Sequence, residues 1–230
     1  MLAQLGLLLA LSGAVPIQGN GGTVAEVEAN NRALRITGRP IDVGSLGSYR
    51  IGVQSGLTAG LAANTPIFSF RWGDATRLAL VRYIKVTATV ITGFTAAQEI
   101  AADCILARSF TASDSAGTAV TLTGNNAKKR TSMGTSLVTA ARVAAAVALT
   151  AGTRTLDNQA FMSTSVKPLA AAATVQDARL EMVWDATHLA DYPIILTQNE
   201  GFVCRNVIAE GAGGTVRYAV EVAWDEVASF

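Results

Sequence analysis

The stretch Gly213–Val227 constrains this chain more than any other. Val216, Tyr218, Val220, Val222 and Trp224 fall on one face, and Arg217, Ala219, Glu221, Ala223 and Asp225 fall on the other. Side chains alternate across a strand, so this period of two predicts a half-buried strand with one apolar wall and one solvated wall. Such a strand needs partner strands and a second layer over its apolar side.

The pattern recurs. Leu180, Met182 and Trp184 alternate with Arg179, Glu181 and Val183. Leu78–Ile91 is rich in β-branched residues. Its set Leu80, Arg82, Ile84, Val86 and Ala88 is the more apolar, with Arg82 the exception, against Val81, Tyr83, Lys85, Thr87 and Thr89. Glu99–Phe110 places Ile100, Cys104, Leu106 and Phe110 on one face. Ala140–Thr150 has alanine's helix propensity, but Val143, Val147 and Leu149 alternate as in a strand, which is the favoured reading. Ala170–Ala173 is ambiguous between these and a loop.

Turn residues punctuate the runs. They are Asn64-Thr65-Pro66 after Gly60, Ser113–Gly117 between two strands, and Gly124-Asn125-Asn126 closing Ala119–Thr123. Gln198–Gly201 lies in a hairpin region, and Glu210–Gly214 precedes the last strand. Many short strands with this punctuation predict an all-β protein, a β-sandwich or jelly roll, occupying residues 41–230. No βαβ alternation, dinucleotide fingerprint or phosphate-binding loop is present.

Residues 1–40 read as a separate N-terminal arm and short hairpin. The apolar run Leu5–Leu11 has no Lys or Arg before it, the first basic residue being Arg32, which disfavours a signal peptide. An arm that packs on a partner is the preferred reading. Thr23–Glu28 and Ala33–Thr37 flank Asn30-Asn31 as a hairpin, with a helix over Val24–Leu34 as the alternative. Gly38-Arg39-Pro40 is the hinge. Cys104 and Cys204 have no metal-ligand spacing. They read as two buried small hydrophobes, with a strand-to-strand disulfide as the alternative.

Composition bears on function through charge. The formal net charge is +1 and charged residues are only 15% of the chain. This argues against a strong electrostatic demand for nucleic acid or an acidic membrane surface. It also leaves a surface poor in charge, which predicts coverage by neighbours.

Chemistry-bearing residues are sparse. His188 is the only histidine, with Asp185 or Asp191 positioned to orient it, but no nucleophile elbow accompanies it. It reads as a loop histidine. Asp225 with Glu226, Glu221 with Asp225, and Asp185 with Asp191 are the carboxylate pairs. Asp225 and Glu226 point to opposite faces, and Glu221 with Asp225 fits a solvated face. Ser113-Asp114-Ser115 and Gly124-Asn125-Asn126 are too sparse for a calcium loop. Lys128-Lys129-Arg130 is the one basic cluster, read as a solvated loop, with contact to nucleic acid or an acidic neighbour as the alternative. Trp72, Trp184 and Trp224 read as core rather than as a sugar-binding shelf. No catalytic, cofactor-binding or metal-binding residue is assigned, and no cofactor is expected.

Several blocks together resemble tailed-bacteriophage virion structural proteins. These are residues 17–40 (IQGNGGTVAEVEANNRALRITGRP), 41–55 (IDVGSLGSYRIGVQS), 68–82 (FSFRWGDATRLALVR), 107–135 (ARSFTASDSAGTAVTLTGNNAKKRTSMGT) and 196–209 (LTQNEGFVCRNVIA). The Leu-rich residues 1–11 depart from the hydrophilic start of such proteins. The resemblance implies a non-enzymatic capsid decoration (cement) protein or head fibre located in the virion, commonly a jelly-roll trimer. Its partners would be other copies of itself and the major capsid protein, with no membrane. A receptor-binding fibre component, a major shell subunit and a secreted β-sandwich binding module are the competing readings.

Overall fold

The computed structural model describes residues 46–167, 179–186 and 192–228, all within one compact unit, Asp42–Phe230. The expected arm and hairpin of residues 1–40, and Ala170–Ala173, lie outside the described residues.

The described residues contain strands and no helix. The strands are β1 (Gly47–Gln54), β2 (Thr65–Trp72), β3 (Leu78–Thr92), β4 (Ile100–Arg108), β5 (Thr118–Ala119) and β6 (Val138–Val143). They continue with β7 (Thr155–Leu156), β8 (Met162–Val166), β9 (Arg179–Asp185), β10 (Ile194–Leu196), β11 (Glu200–Asn206) and β12 (Thr215–Val227). They form two antiparallel sheets. In the first, β1 pairs β12, β12 pairs β3, and β3 pairs both β9 and β10. In the second the order is β5-β6-β2-β11-β4, with β7 and β8 both on β4. β9 and β10 take successive parts of β3, so they share one lane. β7 and β8 share a lane along β4 in the same way.

The inward faces of the two sheets make one core. Val216, Tyr218, Val220, Val222 and Trp224 are all buried, as the alternation demands, and Leu180, Met182 and Trp184 are buried beside them. Phe70 of β2 meets Trp224 of β12 edge to face at 5.2 Å, and Phe161 meets Trp184 at 6.2 Å, joining the layers. Trp72 and Trp224 are fully buried and Trp184 nearly so, which makes all three core residues. Gly201 is required where β11 runs between β2 and β4, because a Cβ there would lie 2.0 Å from the Phe70 carbonyl oxygen.

Bulges explain where the alternation departs from the strands. On β12, Ala223 faces Tyr83 and Trp224 faces Val81, leaving Arg82 without a partner on that side. The extra residue shifts the phase of β3 by one. Ala79 and Val81 join the core before the bulge, and Ile84, Val86 and Ala88 after it. Arg82 was therefore the outlier on its expected face because the face itself changes there. A second shift puts Ile91, half exposed, outside the register.

Other expectations are corrected. Cys104 and Cys204 are not free thiols but form a disulfide. They sit directly opposite on β4 and β11, and only the pairing register brings them together. Phe110 does not continue the β4 face of Cys104. Ser109 adopts φ 48°, which turns the chain, and Phe110 packs with Ala107, Val203 and Leu156 on the other side. Strand β6 stops at Val143 rather than running to Thr150. Its partner β2 reaches Pro66, which has no N–H to extend the ladder, and Leu149 N–H instead bonds the Pro66 carbonyl. Of the expected 119–123 run only Ala119 is strand, as the second residue of β5. Residues 197–199 link β10 in the first sheet to β11 in the second, so the turn at Gln198–Gly201 opens β11 after a crossover and is not part of a hairpin.

Candidate functional site

The outer face of the first sheet is ordered in rows. Arg50 of β1, Ala223 of β12, Tyr83 of β3 and Asp185 of β9 stand side by side across four strands. Ala223 is the small member. Over it lies a depression of about 410 Å³ lined by Arg50, Arg82, Tyr83, Lys129, Asp185 and Ala223.

Each cation arrives by a different route. Arg50 points outward by ordinary alternation, lies 5.3 Å over the Tyr83 ring, and pairs with Glu221 in the next row. Arg82 reaches the outer face because of the bulge, and its Nη1 is 2.9 Å from Asp225 Oδ2. Lys129 comes from the Lys128-Lys129-Arg130 cluster. That segment lies along the β1 edge: Arg50 N–H donates to the Ala127 carbonyl at 2.8 Å and Lys129 N–H to Ser48 at 3.1 Å. The loop thus caps an open strand edge, which explains its backbone placement. Lys129 forms no side-chain ion pair or hydrogen bond with another described residue.

Two of the carboxylate pairs, Asp225 with Glu226 and Glu221 with Asp225, are not brought together as reactive pairs. Asp225 was placed on a solvated face with Glu221, yet Asp225 is buried under the Arg82 ion pair while Glu221 remains outside. Glu226 is buried on the other side. Its Oε1 accepts from Ser136 Oγ at 2.7 Å, Leu137 N–H at 2.9 Å and Trp224 Nε1 at 3.2 Å. Burial is the largest influence on Glu226 and raises its pKa, against the lowering effect of those bonds. Burial also pushes the neighbouring Tyr49 hydroxyl up to about 12, with the Glu226 charge adding to it. His188 and Asp191 lie outside the described residues.

Asp114, from a sparse calcium-loop candidate, is buried, pairs with Arg154 and accepts Gly152 N–H at 2.9 Å. Burial pulls Arg154 down to about 10, and the Arg205 charge adds to that. Among the described residues no three His, Cys, Asp or Glu side chains gather as a metal site. Nor is any described helix long and apolar enough to cross a membrane.

A second surface differs in character. The loops Ser55–Asn64 and Ala144–Ala151 contain no charged residue, and they expose Leu57 and Val147. They touch through Gly56 N–H and the Ala144 carbonyl at 3.2 Å. The first loop is held from beneath by buried Glu210. Glu210 Oε1 accepts from Thr58 Oγ1 and the Tyr218 hydroxyl, both at 3.0 Å, and Oε2 accepts Leu61 N–H at 3.2 Å. An exposed, uncharged and pre-ordered loop pair offers apolar contact at small ordering cost.

Sequence reading singled out Lys129 and Asp185 but missed Arg50 and Tyr83. Arg82 carried the one available signal, as a charge on an apolar face. No protein-family model, no curated protein and no solved structure matches the chain.

Proposed function

We propose that this chain is a non-enzymatic virion structural protein that self-associates and stabilises or decorates a phage capsid, and that its sandwich is a jelly roll. The observation that carries this reading is the strand order. Taking the shared lanes as one strand each, β1-β12-β3-β9/β10 faces β2-β11-β4-β7/β8. The chain passes from sheet to sheet at each step except from β4 to its lane partner, and its first and last strands are neighbours. That is an eight-lane, double-sheet arrangement of the kind that builds viral capsid domains and lectins. β5 and β6 form an addition beyond β2.

Fold alone does not fix a role. The sequence resemblance to phage virion proteins selects the capsid branch, and the uncharged Leu57 and Val147 loops support packing against other subunits. Residues 1–40 would tie a subunit to its neighbours, and three copies would form the unit. Light scattering behind size-exclusion chromatography tests this. A stable trimer, or binding of the protein to preassembled shells, is expected; a monomer that binds no shell overturns it. Deleting residues 1–40 should reduce assembly and leave the sandwich folded.

The buried Cys104–Cys204 disulfide favours a second reading, a secreted β-sandwich binding module, because such bonds persist mainly in oxidising surroundings. Intact-mass analysis separates the two: cleavage near Ala14 supports secretion.

A further inference from the structure

We propose that β9 is the edge through which two copies of this chain pair antiparallel about a two-fold axis at Met182, joining their first sheets into one. Strand β9 pairs β3 on one side, and no described strand pairs its other side. Two other edges are covered: residues 127–129 lie along β1, and β5 lies along β6. Ala186 N–H donates to the Arg82 carbonyl, so the even-numbered residues of β9 bond β3. The N–H and C=O groups of Arg179, Glu181, Val183 and Asp185 therefore turn away from β3. The side chains follow the same alternation: Leu180, Met182 and Trp184 are buried, and Arg179, Glu181 and Val183 are exposed. Val183 is 46% exposed, a large apolar side chain on the outer face. A seven-residue edge carrying such a residue is a template for another strand.

Charge complementarity selects a second copy as the occupant and fixes the register. The outward backbone groups require odd-numbered residues to face odd-numbered residues. Centring the pair on Met182 engages the whole of β9. It sets Arg179 opposite Asp185 of the second copy and Glu181 opposite its Val183, so each end opposes a cation to an anion and no like charges meet. Centring on Glu181 would set that carboxylate against itself, and centring on Val183 would set Glu181 against Asp185. Like charges directly opposite destabilise a strand pair, whereas opposite charges stabilise it. Centring on Leu180 avoids repulsion but engages only Arg179–Glu181. Glu181 keeps Arg179 and Lys85 within its own chain, and Asp185 is engaged there too. Charge therefore sets the register, while the backbone bonds supply the attachment. A patch complementary to itself is what a two-fold contact requires. The contact goes beyond the packing reading: a two-fold axis cannot close a trimer, so it joins one such unit to the next.

Cysteine pairing in the full-length protein tests the contact and its register. Residues directly opposite in a hydrogen-bonded pair have Cα atoms about 5.5 Å apart, within reach of a disulfide. Cys104 and Cys204 are bonded to each other, so an introduced cysteine is the one free thiol among the described residues. Glu181→Cys mixed with Val183→Cys in oxidised glutathione is expected to give a disulfide-linked pair, read by intact mass. Glu181→Cys linking to itself overturns the register. Absence of any linked pair, or equal linking of Val183→Cys to Thr121→Cys, an exposed residue outside β9, overturns the contact. Val183→Pro gives an independent reading. The Val183 N–H points away from β3, so the variant removes no bond of the fold and is expected to weaken the two-fold association about tenfold. Circular dichroism confirms that it is folded, with Val183→Lys as the second variant, and unchanged association of both overturns the contact. The oligomer mass separates this contact from the packing reading. A trimer that gives no linked pair overturns the edge contact alone, and linked pairs from a protein that assembles only as two copies refute the three-copy unit and leave the edge contact standing.

Discussion

Cys104 on β4 and Cys204 on β11 face each other across one rung of the second sheet, joined by a disulfide with Cα atoms 4.1 Å apart. Both residues are completely buried. The bond closes a loop with a sequence separation of 100 residues. Restricting so long a loop in the unfolded chain stabilises the fold by about 2–5 kcal/mol. Replacing both residues by Ala should lower the urea midpoint accordingly. In the native protein, thiol reductants should leave the bond intact until unfolding exposes it, which thiol labelling followed by mass spectrometry reads directly.

Arg82 and Asp225 form a pair that is unequal in exposure. The Asp225 side chain is 1% exposed and that of Arg82 33%. Arg82→Ala strands a buried carboxylate. The expected cost is about 2–3 kcal/mol, below the value for a fully buried pair because water already screens the guanidinium. Adding Asp225→Asn to Arg82→Ala should recover most of the loss. Denaturant titration of the two single variants and the double variant closes the cycle, and additive losses would remove the coupling.

Glu210 holds the Ser55–Asn64 loop from below. Glu210→Ala leaves the Thr58 and Tyr218 hydroxyls and Leu61 N–H without their acceptor in the interior, at a cost of roughly 3 kcal/mol. Burial and the Glu210 charge both raise the Tyr218 pKa, so the phenol stays protonated and donates. Hydrogen exchange should rise at Thr58 and Leu61 in the variant before it rises in β12. Uniform exchange across the sandwich would show that the loop is not separately anchored.

Glu226 and Tyr49 set the pH response at the Leu46 end of β1. The folded pKa of Glu226 lies above the ordinary 4.5, so the native state binds the proton more tightly than the unfolded chain. Its contribution to stability is fully present below 4.5 and is lost as pH rises through the raised folded value. Glu226→Gln should therefore be more stable than the parent at neutral pH and converge with it in acid. Tyr49 acts in the same direction at the alkaline end, favouring the fold below 10 and ceasing to do so as pH rises to about 12. Chemical denaturation across pH measures both limbs. A flat difference between parent and Glu226→Gln would contradict the first.

The sequence by itself determined the all-β class and the inward faces of β9 and β12. Period-two alternation is a local property, and any strand with Val216, Tyr218, Val220, Val222 and Trp224 on one side must bury that side. It also marked Arg82 as anomalous without giving a cause. The tertiary structure decided what depends on pairing between distant strands. The register of β4 on β11 joined the cysteines, and the register of β3 on β12 produced the bulge that shifts the core face and turns Arg82 outward. The depression over Ala223 required Arg50, Tyr83 and Lys129 to converge from strands and a loop far apart in the chain. Register and bulges follow from the summed packing of whole sheets, and that sum is not written in any single stretch of residues.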